Sequence, residues 1–168
     1  NKGNKVKLGD SMTSTYGYIK MIRSKVGHTP IILNAACGIV LNEKNQVLLN
    51  LRTDTHNWST PGGYLEYGET FVQALIREMK EDSGIDVSII KPFKIFDQGF
   101  TKYPNGDECQ VITLPYLVTP RGGNVNEADS NETVRLEYFD LDNLPPLLNQ
   151  QNEDILEYVN QQIKAGLI

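Results

Sequence analysis

Apolar residues fall in short runs broken by glycine, proline and asparagine, and two periods alternate along the chain. AACGIVL at 35–41 and QVLLNLR at 46–52 are continuous apolar stretches rich in branched side chains. With NEKN between them they predict a β-hairpin with a longer turn. SIIKPFKIFDQGFTKY at 88–103 and ECQVITLPYLVT at 108–119 read as strands joined through Pro104-Asn105-Gly106-Asp107, where Asn-Gly is a strong hairpin signal. VRLEYFDL at 134–141 reads as a final strand. Helical spacing is weak at 16–26 (Ile19, Ile22, Val26, stopped by Gly27) and clear at 69–83, where Phe71, Val72, Leu75, Ile76 and Met79 form an apolar stripe and Ser83-Gly84 a stop. A third amphipathic helix is predicted at 152–166, with Asn152 as its cap and Ile155, Val159 and Ile163 toward the core. THNWSTPGG, RGGNVNEADSNET and DNLPPLL read as loops and turns. This order of elements predicts an α+β fold, a mixed β-sheet between helices, with no boundary that would split it.

The 168 residues suffice for one ordinary domain with a real core. Charged residues make up 22% and hydrophobic ones 39%, the balance of a soluble globular chain. A net charge of −5 gives no support to a nucleic-acid binder, which needs a basic face. A small phosphorylated ligand is not excluded, because a metal can supply the positive charge. Cys37 and Cys109 sit in apolar runs without a CxxC pair and read as buried reduced thiols. No apolar run approaches the ~20 residues of a membrane span. The hydrophilic start, NKGNKVKLGDS, lacks a signal core, so the cytoplasm is the expected location. Whether residues before Met12 are native stays open.

Crowding of acids in GGYLEYGETFVQALIREMKEDSGI, residues 62–85, is what points to chemistry. At ~100° per residue, Asp82 falls about 40° to one side of Glu78 and Glu81 about 60° to the other. Three carboxylates therefore share one helix face, beside small Ala74 and Thr70. A solvated acidic stripe is the ordinary alternative. A hard-cation site is the functional one: Mg²⁺ takes carboxylate and carbonyl oxygens and is commonly shared with substrate phosphates. No His or Cys lies on this face to suggest zinc.

The spacing runs Gly63, five residues, Glu69, seven residues, then Arg77-Glu78-Met79-Lys80-Glu81-Asp82-Ser83-Gly84-Ile85. It resembles the Nudix box, GX5EX7REUXEEXGU with U apolar, at every fixed position but one: Asp82 stands where the box has glutamate. A chance match is on the order of one in 10⁹ per starting position. The resemblance covers nearly the whole chain after about residue 30, which divides it into an N-terminal extension with a short helix (1–30) and a single Nudix hydrolase domain (31–168).

The resemblance implies an α/β/α sandwich around a mixed sheet. It also implies an Mg²⁺-dependent hydrolase, Mn²⁺ substituting, that cleaves the phosphoanhydride bond of a nucleoside diphosphate linked to another moiety. By position, Glu78, Glu81 and Asp82 with the Gly62 carbonyl look like metal ligands, and Arg77 holds the acids in place. Glu69 supports the loop–helix junction. The catalytic base is Glu78, or an acid from the loop before the last strand, where Glu132 is the first candidate beside Glu127 and Asp129. Arg52, Gly63 and Glu66 are candidates for substrate binding, with an exposed strand end or loop acid as the ordinary alternative. Trp58 reads as a core plug before a base-stacking platform. His28 and His56 receive no role.

A non-catalytic nucleotide-binding or sensory Nudix-like domain is the alternative function; intact Glu78 and Glu81 favour the enzyme. The substrate among ADP-ribose, nucleotide sugars and (d)NTPs stays open, because loops outside the box choose it. A homodimer is one expectation, since N-terminal extensions contribute to dimers in this superfamily. Restoring the box with Asp82→Glu is expected to preserve or raise activity.

Overall fold

The computed structural model describes residues 17–168. The question about Met12 and the start of the first predicted helix, Tyr16, lie outside that range. Helix α1, Tyr18–Val26, is followed by Gly27 in a positive-φ conformation (φ 60°) that ends it. Strand β1, Ile31–Val40, comes next, then β2, Val47–Arg52, and two short strands, β3 (Trp58–Ser59) and β4 (Gly62–Tyr64). Helix α2, Phe71–Ser83, starts from a capping box in which Thr70 accepts from the Gln73 N–H and the Gln73 side chain returns to the Thr70 N–H. Gly84 closes it in the left-handed conformation, φ 70°. Strands β5 (Ile85–Pro92), β6 (Phe96–Lys102), β7 (Glu108–Gly123) and β8 (Thr133–Phe139) follow, with a 3-10 turn at Val125–Glu127, and helix α3, Gln150–Lys164, ends the order.

Five strands form a mixed sheet in the order β4-β1-β7-β5, with β6 also paired to β7; β1 and β7 run parallel and the other pairs antiparallel. β3, β2 and β8 form a second, smaller antiparallel sheet. Alternate residues of β1 serve two cores. Ala36 and Val40 pack with Leu75 and Met79 of α2, while Cys37 and Ile39 pack with Ile155, Leu156 and Val159 of α3. Contact with α2 is close: a Cβ on Gly38 would collide with the Met79 thioether. The two thiols, Cys37 and Cys109, are free and buried. No helix among the described residues is long and apolar enough to cross a membrane.

Three local expectations differ from what is found. The predicted hairpin of 35–41 with 46–52 does not form; β1 and β2 belong to different sheets and share one isolated bridge, Leu41 with Val47. Both strands are buried on both faces, so their continuous apolar runs carry no alternation that could name a partner. The stretch 88–103 is two strands, β5 and β6, both laid along the sixteen-residue β7. The cap of α3 is Asn149, which accepts from the Asn152 N–H, and not Asn152. Asn152 instead accepts from the backbone and hydroxyl of Thr60 at 3.1 and 3.2 Å, fixing the loop that leads into Gly62.

Candidate active site

Arg77 is the hub of the acidic segment. Its Nε and Nη2 donate to the two oxygens of Glu69, each at 2.8 Å, in the bidentate geometry that guanidinium favours. Nη1 reaches Glu78 at 2.7 Å and, more loosely, Glu81 at 3.4 Å, and Nη2 also holds the Tyr64 carbonyl at 3.0 Å. Glu69 in turn accepts from the Glu66 N–H at 2.7 Å. One cation thus fastens the loop 64–69 to the middle of α2. The guanidinium beside Glu69 holds that carboxyl below its ordinary value.

Gly62 and Gly63 let the backbone of β4 pass directly over the acids. A Cβ on Gly63 would stand 2.5 Å from the Glu78 carboxyl carbon. Gly62, at φ 156°, lies against the β1 backbone so tightly that a Cβ there would overlap the Ala36 carbonyl, and its N–H donates to Asp82 Oδ2 at 3.0 Å.

From the other side the chain after α2 folds back. The Asp129 N–H meets the Glu81 carbonyl at 2.6 Å, and the Thr53 N–H meets the Glu132 carbonyl at 3.0 Å. These bonds bring Glu132, from the loop before the last strand, onto the helix. Carboxylate oxygens of Glu78, Asp82 and Glu132 lie within 4.8 Å of one another. Among the described residues Glu81 is not part of that group; its side chain is 43% exposed and stands beside it, within electrostatic reach of Glu132 and Asp129. Burial and mutual repulsion push the acids upward: Glu78 to about 7, chiefly by desolvation, and Asp82 well above its ordinary value for the same reason. Three oxygen donors crowded in this way, with their charge unfavourable when nothing balances it, fit a hard divalent cation.

The other predicted residues are placed as follows. Arg52, at the end of β2, is held in a bidentate pair by Asp54 at 2.9 and 2.7 Å and feels both Asp82 and Tyr64. Glu66 is not part of the carboxylate group found among the described residues; it accepts from the Tyr18 N–H at 2.7 Å, which fixes the start of α1. Glu127 pairs with Lys80 at 2.9 Å on the surface. Trp58 is buried against Phe139, with ring centroids 4.7 Å apart, and plugs the core edge.

A buried polar chain escaped the sequence reading. Ser59 donates to Asn50 Oδ1 (3.0 Å), Asn50 donates to Thr133 Oγ1 (3.3 Å), and Thr133 donates to the Asp82 carbonyl (2.9 Å). It ties the small sheet to the end of α2. The signal available was Asn50 itself, a polar residue inside the apolar run VLLNLR.

Comparison with known proteins agrees with this geometry. The family model of the NUDIX domain matches residues 32–159. An ADP-ribose pyrophosphatase of Methanocaldococcus jannaschii is 28% identical over 123 residues, 71% of this chain and 69% of that protein. An ADP-ribose pyrophosphatase structure from Streptococcus suis superposes with a TM-score of 0.59 at 27% identity, covering 74% of this chain and 87% of that one. A MutT NUDIX hydrolase from Burkholderia pseudomallei shares the fold, with a TM-score of 0.63 at 23% identity over 75% and 96% of the two chains. The box, the fold and these relatives agree, and the chain belongs to the NUDIX family as a Nudix hydrolase.

Proposed function

We propose that this protein is a Mg²⁺-dependent pyrophosphohydrolase of a nucleoside diphosphate linked to a second moiety, with ADP-ribose the first substrate to test. The observation that carries the reading is the convergence of Glu78, Asp82 and Glu132 carboxylates within 4.8 Å. The ADP-ribose pyrophosphatases of M. jannaschii and S. suis, at 28% and 27% identity, support the choice of substrate.

Glu78, Asp82 and Glu132 would hold the cation, with Glu81 and the Gly62 carbonyl as further donors on its open side. When bound, the cation supplies charge neutralisation of the pyrophosphate and a more acidic water. Hydrolysis adds water across the P–O–P bridge and gives two phosphate monoesters, AMP and ribose 5-phosphate from ADP-ribose. Arg52, already aligned by Asp54, is suited to grip a phosphate oxygen. Arg77 keeps Glu78 in position through its 2.7 Å bond, which leaves the second carboxylate oxygen available to accept a proton from the attacking water. Glu132 shares the same oxygen cluster and is the alternative base.

Product analysis of ADP-ribose, UDP-sugars and 8-oxo-dGTP incubated with Mg²⁺ tests the reading. A Bacillus subtilis relative, 30% identical over 64% of this chain and provisionally named an 8-oxo-dGTP diphosphatase, is the reason for including the last. AMP from ADP-ribose, lost by at least 10²-fold in Glu78→Gln, is expected. Cation-independent turnover, or turnover unchanged in that variant, would contradict it.

A further inference from the structure

Gly62 is reached through Thr60 and Pro61, the residues between β3 and β4. These three successive residues are fastened to three different elements. Asn152 of α3 accepts from the Thr60 N–H and hydroxyl at 3.1 and 3.2 Å. The Pro61 carbonyl takes the Gly38 N–H of β1 at 2.9 Å. The Gly62 N–H donates to Asp82 of α2 at 3.0 Å. Because Gly38 bonds Pro61 while Cys37 stands opposite Gly62, the Cys37–Gly62 pair is one that makes no ladder bonds of its own. The N–H and carbonyl of Gly62 therefore both turn away from β1, and the N–H shows the direction by reaching Asp82.

The lead into α3 runs beside the same stretch. The Trp58 N–H donates to the Pro146 carbonyl at 3.2 Å, and the Leu148 N–H to the Trp58 carbonyl at 2.8 Å. Asn149 Oδ1, the cap of α3, accepts from the Asn152 N–H at 3.0 Å and from the Asn152 side-chain amide at 2.9 Å. That second bond turns the Asn152 amide so that its oxygen, and not its nitrogen, meets the two donors of Thr60. Thr60 and Asn152 are both buried. A buried N–H that loses its acceptor is costly, so the loop stays where the amide oxygen is.

The acids that converge on the cation site come from α2 and from the loop before β8. Helix α3 packs on the other face of β1 from α2. We infer that Asn152 is a positioning residue of the cation site: through Thr60, α3 sets where the Gly62 carbonyl and N–H stand relative to Asp82. The site is thus completed from across the large sheet, by a side chain that does not itself reach the acids.

This inference rests on the proposed cation site, and its test separates the two. Mn²⁺ binding is measured from the electron paramagnetic resonance signal of the free ion. Wild type binds Mn²⁺, and Glu78→Gln weakens it; no binding, or binding that Glu78→Gln leaves alone, removes the cation-site reading itself. Asn152→Leu, close in shape, takes away the acceptor. It is expected to weaken Mn²⁺ by roughly 10- to 100-fold, the usual cost of losing a group that orients a ligand, and to speed hydrogen exchange at the Gly62 N–H in metal-free protein. Gln151→Leu is the matched control. Gln151 is equally buried on the same turn, but it bonds Thr113 and the carbonyls of Phe96 and Val111, away from the loop. It is expected to lose stability and keep its Mn²⁺ affinity. Equal weakening in Asn152→Leu and Gln151→Leu overturns the inference, as does wild-type affinity or wild-type Gly62 exchange in Asn152→Leu. Should Asn152→Leu fail to fold, Thr60 decides. Thr60→Val removes one of the two bonds and is expected to weaken Mn²⁺ by about 2- to 10-fold, while Thr60→Ser keeps the hydroxyl and stays near wild type. Thr60→Val binding as tightly as wild type, or Thr60→Ser losing as much as Thr60→Val, overturns it.

Discussion

At the scale of single residues, the site depends on side chains that are small or short where the backbone meets the acids. Gly63 is the clearest case: a methyl group there would stand 2.5 Å from the Glu78 carboxyl carbon. Gly63→Ala is therefore expected to displace Glu78 and lower kcat by at least 10-fold with little loss of thermal stability, read by steady-state kinetics beside a melting curve. Asp82 is the second case. The box spacing alone makes Asp82→Glu a return to consensus. In the fold, however, Asp82 is 4% exposed and its carboxylate already takes the Gly62 N–H at 3.0 Å. An added methylene has to break that bond or push β4 outward, so Asp82→Glu is expected to reduce activity, and rates at or above wild type would show that the pocket yields. The common placement of Arg77, Glu78, Glu81 and Asp82 was legible from sequence because their positions relative to one another are fixed by one helix. Thr133 and Asn50 were not, because what matters about them is which distant residue they touch.

At the scale of elements, α2 could be read because its period and stop lie within one segment. Pairing of β1 and β2 could not. Two strands buried on both faces look alike whether they are neighbours or belong to different sheets, and short separation favoured the hairpin that does not form. The small sheet is joined to the site by the chain Ser59–Asn50–Thr133–Asp82, all of it buried. Thr133→Val keeps the shape and removes the hydroxyl, leaving the Asn50 amide and the Asp82 carbonyl without that partner. A loss of roughly 1–3 kcal/mol in unfolding free energy is expected. Denaturant titration checks it, and an unchanged midpoint would show that the chain of bonds does not hold the sheet to the helix.

For the whole molecule, the raised carboxyl values link stability to pH and metal. Glu78 moves from 4.5 to about 7 on folding without a cation. A group whose folded value is raised binds its proton more tightly in the native state. Its stabilising contribution is full below 4.5 and is lost as pH rises through about 7. Asp82 shifts in the same direction. Metal-free protein is thus expected to melt at a falling temperature across this window, and saturating Mg²⁺ to remove most of the fall by binding the ionised acids. Melting curves in chelator and in Mg²⁺ at several pH values read this directly, and parallel curves would contradict it.

Crystals soaked in Mn²⁺ and recorded at its absorption edge give the most direct test of the central claim. An anomalous peak bounded by Glu78, Asp82 and Glu132, absent in crystals of Glu78→Gln, is predicted. A peak elsewhere, or none at Mn²⁺ concentrations that support hydrolysis, would contradict the assignment of these three carboxylates as the cation site.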